Sequence, residues 1–442
     1  MPDPVKATDR DPERNKPRRA TGWPHYRSPH RAAADREASR AMENLPLPQV
    51  LDDPRVPANT PELIETDAAL ADLIERLRAA GGFAYDTEFI GERTYHPRFC
   101  VIQVATPDRV TLIDGLADLD LAPFWSLLTD PDVLKLVHAG DQDLEPAVRL
   151  AGGAPAAVYD TQIVAGFAGL VYPLGLTALA AELCDADFGG DFKFSSWDRR
   201  PLTPTQLVYA ANDVRYLWLI KDELDRRLAD TGYAAWAEEE NRLRCHADRF
   251  TTDPLAVKVK AKKKGAFKRR HLAVLHPLMR WRDQLAREND VPVRAILDDA
   301  ALVRLVEDPP ADLAAFRKVK GLPWPIKDYH GEALSALIRE AVDGPLPPKR
   351  PRLRPLNGPA QTALESIWRG FLTRCDELGL SPALVANKKE ITALVRARHM
   401  GDPWPKPEAG DGNGPVGSRL LTGWRQEALG DLLAPLTPDG VN

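Results

Sequence analysis

The sequence predicts an α/β protein, with one mixed-sheet domain followed by all-helical blocks. Three observations predict it. Three β-rich runs, at 82–89, 98–106 and 109–114, are separated by short turns, as in an antiparallel meander. Two short apolar runs, at 134–138 and 157–159, flank a helical stretch around 144–150, as in a βαβ unit. From about residue 271 onward only helical periodicity recurs.

Each element has its own signal. Residues 1–58 mix Arg, Asp, Pro and Ala without periodicity and read as a disordered tail. Thr66 can cap a helix whose Leu70, Leu73, Ile74 and Leu77 recur at helical spacing, and Gly81-Gly82 ends it. The 21 residues 161–181 carry no charge, close to the length of a membrane span. Pro173 and Gly175 interrupt them, so two buried helices joined at Tyr172-Pro173-Leu174-Gly175 are expected and no membrane association. Thr203-Pro204-Thr205-Gln206 is a capping box with proline at the first helical position, opening a helix to about Arg227.

Further on, 258–270 holds eight basic residues and no acidic one. This run reads either as a solvated linker or as a salt-sensitive RNA contact. Leu272, Leu275, Leu278, Trp281 and Leu285 then mark a helix. A Pro/Arg-rich stretch covers 345–355, and a second helical block, from about 361 to 433, is broken by a Gly/Pro loop at 401–417. The boundaries expected are a tail at 1–58, an α/β domain at 59–245, a basic linker at 246–270, helical domains at 271–344 and 358–436, and a linker at 345–357 between them.

Bulk composition agrees. Length 442 allows two to four domains, and 44% hydrophobic with 28% charged residues is ordinary for a globular protein. A net charge of −5 excludes a global field drawing the chain onto nucleic acid, so such a partner needs a local basic surface. The four cysteines, Cys100, Cys184, Cys245 and Cys375, form no CxxC pair, which argues against a zinc knuckle or disulfide framework. The N-terminus has no apolar core of a secretory signal, and a cytoplasmic, reducing setting is expected.

Three places carry chemistry. Asp86 and Glu88 lie two apart on a strand, hence on one face, with Thr87 pointing away. Two carboxylates side by side are costly to bury unless a cation neutralises them. Asp141 and Asp143 follow the buried strand ending at His138, at the strand end where α/β folds place ligands. Helix capping is the plain alternative for both. Tyr209 and Asp213 are i and i+4 on the capped helix and share a face.

Taken in order, these residues resemble the ribonuclease D family. Asp86-Thr87-Glu88-Phe89, followed by Thr94-Tyr95-His96-Pro97 and Cys100-Val101-Ile102-Gln103, resembles its first exonuclease motif. His138-Ala139-Gly140-Asp141-Gln142-Asp143-Leu144-Glu145 resembles the second, and Asp160-Thr161-Gln162 the helix that follows. Trp197-Asp198-Arg199-Arg200-Pro201-Leu202, with Gln206, Tyr209, Ala210 and Asp213-Val214, resembles the third. The resemblance spans roughly 60–240. Leu278, Trp281-Arg282, Ala286, Pro292, Ile296-Leu297, Leu302 and Tyr329-His330-Gly331 resemble a helicase-and-RNase-D C-terminal (HRDC) domain. Leu420-Leu421, Gly423-Trp424-Arg425 and Leu429 are similar to a second one. Two departures stand out: Ser196 replaces an acidic residue before Trp197, and Lys193 stands for the family's lysine.

The resemblance implies an RNase H-like fold and a 3′→5′ exonuclease with tyrosine in its third motif. It implies Asp86, Glu88, Asp143 and Asp213 as ligands of two divalent metal ions. Oxygen-only ligands suit Mg²⁺ or Mn²⁺. A pair of such ions can both activate water and neutralise the departing 3′-oxygen. A free tyrosine has a pKa near 10, so Tyr209 is expected to orient the water rather than deprotonate it. Gln103, His138, Lys193 and Arg200 are expected substrate contacts; for His138 a core role is an equal reading. The implied substrate is RNA with a free 3′ end, tRNA precursors foremost, acted on by a monomer. A DNA 3′→5′ exonuclease, or a non-catalytic nucleic-acid-binding module, remains the alternative. The carboxylates alone cannot separate RNA from DNA, whereas loss of a ligand would mark the non-catalytic case and all four are present.

Overall fold

The structure is a computed structural model and describes residues 49–186, 188, 196–251, 253–257, 259, 267–349, 354–405 and 418–437. Most of the expected tail (1–48), Lys193 and most of the basic run (258 and 260–266) lie outside the described residues.

Two units share the chain. One holds 91–97 with 253–350, and the other holds the rest of the α/β segment together with 351–442. In the larger unit six strands form one mixed sheet, in the order β1-β4-β3-β2-β5-β6. β2 (Gly82–Ile90), β3 (Arg98–Ala105) and β4 (Val110–Asp114) are the expected antiparallel meander. β5 (Leu134–Val137) runs parallel to both β2 and β6 (Val158–Asp160), as a βαβ unit requires. β1 (Glu62–Ile64), parallel to β4 at the sheet edge, has no counterpart in the sequence reading. Three residues are too few for a period-2 pattern to register.

Helix α1 (Asp67–Ala79) starts where Thr66 accepts from the Ala69 amide, and it buries Leu70, Leu73, Ile74 and Leu77. Gly81 then turns the chain at φ +69°. A short α2 (Glu145–Arg149) links β5 to β6, and α3 (Thr161–Phe167) and α4 (Leu176–Cys184) follow. The uncharged stretch is therefore two short helices. Among the described residues no helix is long and apolar enough to cross a membrane.

The capping box forms as the sequence predicts: Thr203 accepts from the Gln206 amide, and the Gln206 side chain reaches back to the Thr203 amide. The helix it opens is shorter than expected. α5 (Pro204–Arg215) ends at Tyr216, and α6 (Leu217–Thr231) continues as a separate helix. Both helices carry apolar residues at helical spacing across the break, so periodicity alone does not reveal it. α7 (Ala234–Arg244) completes the α/β layers.

The helices of 354–437 do not bury their apolar faces by themselves. α11 (Gly358–Glu377), α12 (Lys388–Met400) and α13 (Gly423–Leu433) share one continuous core with α3, α5, α6 and α7. The numbering leaves α8 (Arg269–Glu288), α9 (Asp299–Glu307) and α10 (Gly331–Asp343) for the other unit, whose core is separate. There Leu275, Leu278 and Leu285 are buried as their spacing predicts. Arg282, also buried, donates to the Leu297 carbonyl and to Asp299, both at 3.1 Å. Tyr95 is seated in this unit, its hydroxyl donating to Asp283 at 2.7 Å.

Candidate metal centre and active site

β2 positions the first two carboxylates. Alternation sends Phe83, Tyr85 and Thr87 to one face of the sheet and Ala84, Asp86 and Glu88 to the other. α5 lies over that second face and brings Asp213 down to it. One carboxylate oxygen each from Asp86, Glu88 and Asp213 lie within 4.8 Å of one another. Tyr209, one turn earlier on α5, lines the same cleft.

Asp143 arrives differently. β5 pairs with β2 only over Gly82–Ala84, so the second half of β2 has one edge without a strand. The loop leaving β5 fills that edge and delivers Asp143, which is buried and accepts a 2.5 Å hydrogen bond from Thr87 Oγ1. Thr87 does point away from Asp86 and Glu88, but it points at the fourth carboxylate. Neither Asp141 nor Asp143 caps α2, whose N-terminal flank, Leu144, makes no side-chain cap.

The loop is held by residues the sequence reading quoted without a role. The Asp160 carboxylate accepts from the backbone amides of Ala139 (2.9 Å), Gly140 (3.2 Å) and Gln162 (2.9 Å). That grip compensates the unfavourable backbone of Ala139, at φ +55°. At Gly140 an added Cβ would sit 2.7 Å from Val137 Cβ, so only glycine fits. Thr161 Oγ1 donates to the Val137 carbonyl and lies 2.9 Å from His138 Nδ1.

Electrostatically the cleft crowds buried acids together. Burial, then repulsion from Asp143 and Asp213, holds the Asp86 carboxyl well above the usual carboxylate range. Burial, then Asp86 and Asp143, does the same to Glu88. Burial pushes Asp143 up to about 6 despite the Thr87 hydrogen bond, which favours its anion. Clustered acids that resist ionisation are what a divalent cation reverses, and the all-oxygen donor set fits a hard one.

Of the four expected substrate contacts, two are corrected. Gln103 is fully buried opposite Asp86 in the β2–β3 register and is not among the residues that line the cleft. Arg200 is committed elsewhere. It grips both Asp114 oxygens at 2.6 Å and donates to the carbonyls of Cys100, Trp197 and Arg199. It staples the segment before α5 to the sheet. His138 does line the cleft, and burial lowers its pKa to about 4, so the ring is neutral at physiological pH. Lys193 lies outside the described residues.

Comparison with known proteins agrees with this geometry. The 3′-5′ exonuclease family model matches 61–229, and the HRDC domain model matches 271–338. Ribonuclease D of Gluconacetobacter diazotrophicus is 33% identical over 378 residues, covering 84% of this chain and 91% of the relative. Ribonuclease D of Acidiphilium cryptum is 36% identical over 376 residues, with the same shares. The crystal structure of Escherichia coli RNase D, described as an exoribonuclease involved in structured RNA processing, superimposes with a TM-score of 0.68 at 29% identity, covering 86% of this chain and 98% of that one. With carboxylates from β2 and α5 meeting in one cleft, an exonuclease domain followed by an HRDC domain, and relatives matched over nearly their whole length, the chain belongs to the ribonuclease D family of 3′→5′ exoribonucleases.

Proposed function

We propose that the cleft between β2, α5 and the 138–143 loop is a two-metal phosphodiesterase centre acting on the 3′ ends of structured RNA, tRNA precursors foremost. The observation that carries this reading is the convergence of Asp86, Glu88 and Asp213 within 4.8 Å, in a site where burial opposes ionisation of Asp86 and Glu88. Asp143 completes the ligand set from the opposite edge of β2. Two Mg²⁺ or Mn²⁺ ions there would supply an activated water and a counter-charge for the departing 3′-oxygen.

The chain's own residues do the rest. Asp86 and Asp213 sit on separate elements, so the sheet–helix packing sets the spacing of the ligands. Thr87 fixes the direction of the Asp143 carboxylate, and Asp160 fixes the loop that carries it. Tyr209 lines the cleft one turn before Asp213 and orients the attacking water by hydrogen bonding. A single chain supplies all four carboxylates, which supports a monomer as the working unit. The four cysteines are free, which supports a reducing cytoplasm as its setting.

Time courses on a 3′-extended tRNA with Mg²⁺, Mn²⁺ or EDTA test the reading. Stepwise shortening from the 3′ end in either metal, and none in EDTA, is expected; shortening that persists in EDTA would refute it. In the same assay Asp213→Asn should lose nearly all activity and Tyr209→Phe a smaller part, about 10²-fold for a lost positioning group. Full turnover by the Phe variant would remove Tyr209 from the mechanism. Thr87→Val keeps the shape but removes the donor to Asp143. Because groups that orient metal ligands are typically worth about 10–100-fold in metal affinity, calorimetric Mn²⁺ titration should show a loss of that order.

A further inference from the structure

The cleft has a charge problem that its lining does not solve. Asp86, Glu88, Asp141, Asp143 and Asp213 line it, and no Lys or Arg does among the described residues. An RNA strand approaching it brings one more negative charge per nucleotide. Divalent ions answer this at the scissile phosphate, but not at the phosphates upstream.

Two arginines converge at the rim. Arg244, the last residue of α7, and Arg249, in the following turn (Ala247–Phe250), both aim at the same oxygen of Asp141. Their guanidinium nitrogens stand 3.4 and 3.8 Å from Oδ2. These are loose contacts, and the Asp141 side chain is 57% exposed. Arg244 also donates to the Tyr172 hydroxyl at 3.1 Å, lies 3.6 Å from Glu240 and feels the buried Asp160 carboxylate, whose oxygens are taken up by the Ala139, Gly140 and Gln162 amides. Glu240 is already held by both guanidinium nitrogens of Arg425, at 2.6 and 3.0 Å, so its charge is spent. Asp141 therefore offers one exposed carboxylate to two guanidinium groups immediately beside an acidic cleft.

We infer that Arg244 and Arg249 form an RNA-backbone phosphate subsite, with Asp141 occupying the place of the phosphate until RNA displaces it. Exposed ion pairs at these distances are weak, so the carboxylate yields readily. A phosphodiester presents two oxygens to paired guanidinium groups, a geometry that arginine matches better than a point charge does. The subsite lies on the 138–143 loop side, at the rim of the cleft that takes the 3′ end, so the phosphate bound is one upstream of the scissile bond. The inference rests on the cleft being the nuclease site proposed above.

The test uses the full chain and a fluorescent RNA with a single-stranded 3′ extension. Its affinity is measured by anisotropy in EDTA across a series of KCl concentrations, and trimming is measured in parallel with Mn²⁺. Arg249→Gln should weaken binding and raise KM by about tenfold or more, the scale of one lost charge-assisted hydrogen bond. It should leave kcat unchanged and reduce the slope of log affinity against log salt by about 0.7, the single-strand value for one phosphate. Arg249→Lys should restore most of that slope. Asp141→Asn should act in the opposite direction, tightening binding by about two- to fivefold, as expected from releasing an exposed ion pair. Opposite shifts of KM at constant kcat are not what damage to the loop would produce. The inference is overturned if both variants keep the wild-type affinity and salt slope, or if they change kcat alone. Wild type that binds RNA with an Arg249-dependent slope but does not trim it would uphold the subsite and overturn the nuclease reading instead.

Discussion

Asp86→Asn should reduce exonuclease turnover by about a thousandfold or more while making the metal-free protein more stable. The activity loss follows from removing one of three converging carboxylates proposed to hold the metal. Asp86 converges with Glu88 and Asp213 in the proposed cation site and is the neighbour that most raises the Glu88 carboxyl after burial. A lost electrostatic contact to the transition state costs about 3–4 kcal/mol, the scale of a thousandfold. The stability gain follows from the same crowding, because an amide in that place is neither charged nor repelled. The crowded acids therefore cost stability unless protonation, an amide or a bound cation relieves them.

The pH dependence gives this an independent check through Asp143. Its folded-state pKa is raised from the ordinary 3.8 to about 6, so the metal-free folded protein binds more protons than the unfolded chain across that interval. More protons bound in the folded state means stability that increases as pH falls through 6 toward 4 and is absent above 6. In Asp143→Asn this contribution vanishes. The difference in unfolding free energy between wild type and Asp143→Asn should move by about 2–3 kcal/mol in favour of wild type between pH 7 and pH 4. Saturating Mn²⁺ should abolish the trend near neutrality by holding the carboxylates ionised. Chemical denaturation at several pH values reads both effects. A flat difference would mean that burial does not disfavour the Asp143 anion.

Arg425→Met should be the most destabilising single change outside the cleft, by about 3–5 kcal/mol, the usual cost of stranding a buried charge. Arg425 is 1% exposed and Glu240 3%. Their bidentate pair is completed by Arg425 bonds to the Val385 and Leu384 carbonyls, and Trp424 Nε1 donates to Glu240 at 2.9 Å. Burial alone would raise the Glu240 carboxyl, yet Arg425 holds it below its usual range. Trp424 adds an edge contact with Phe167 at 4.9 Å and a tilted one with Trp236 at 5.7 Å. This cluster ties α13 to α3 and α7, so its loss should loosen the C-terminal helices from the α/β layers, read as a lower denaturation midpoint. Glu240→Leu combined with Arg425→Met should recover most of the loss, since an apolar pair leaves no charge behind. If the single variant unfolds at the wild-type midpoint, the cluster is not what joins these helices.

Much of the site was legible in the chain because its geometry is local. Asp86-x-Glu88 needs only the two-residue period of a strand, and Tyr209 with Asp213 needs only one helical turn after a capping box. The meander, the βαβ unit and the buried face of α1 follow from the same short periods. Where the reading went astray, the missing information was long-range. Gln103 and Arg200 have the right chemistry for substrate contact, and nothing near them in sequence shows that one is sealed beneath α5 and the other spent on Asp114, 86 residues away. The break at Tyr216 is equally silent, because the periodicity is continuous across it.

By itself, then, the sequence determined the family, the order of its motifs and the four carboxylates proposed as metal ligands, since these rest on residue types at fixed local spacing. The tertiary structure alone decided how they group. It divided the quartet into three acids on facing elements and a fourth delivered through an unpaired strand edge and held by Thr87. It turned Asp160 into the anchor of that loop, and it closed the Glu240–Arg425 pair across 185 residues. The reason is that a buried charge is tolerated only where a specific partner meets it. Which partner does so is set by how the sheet and helices close on one another, not by the residues on either side.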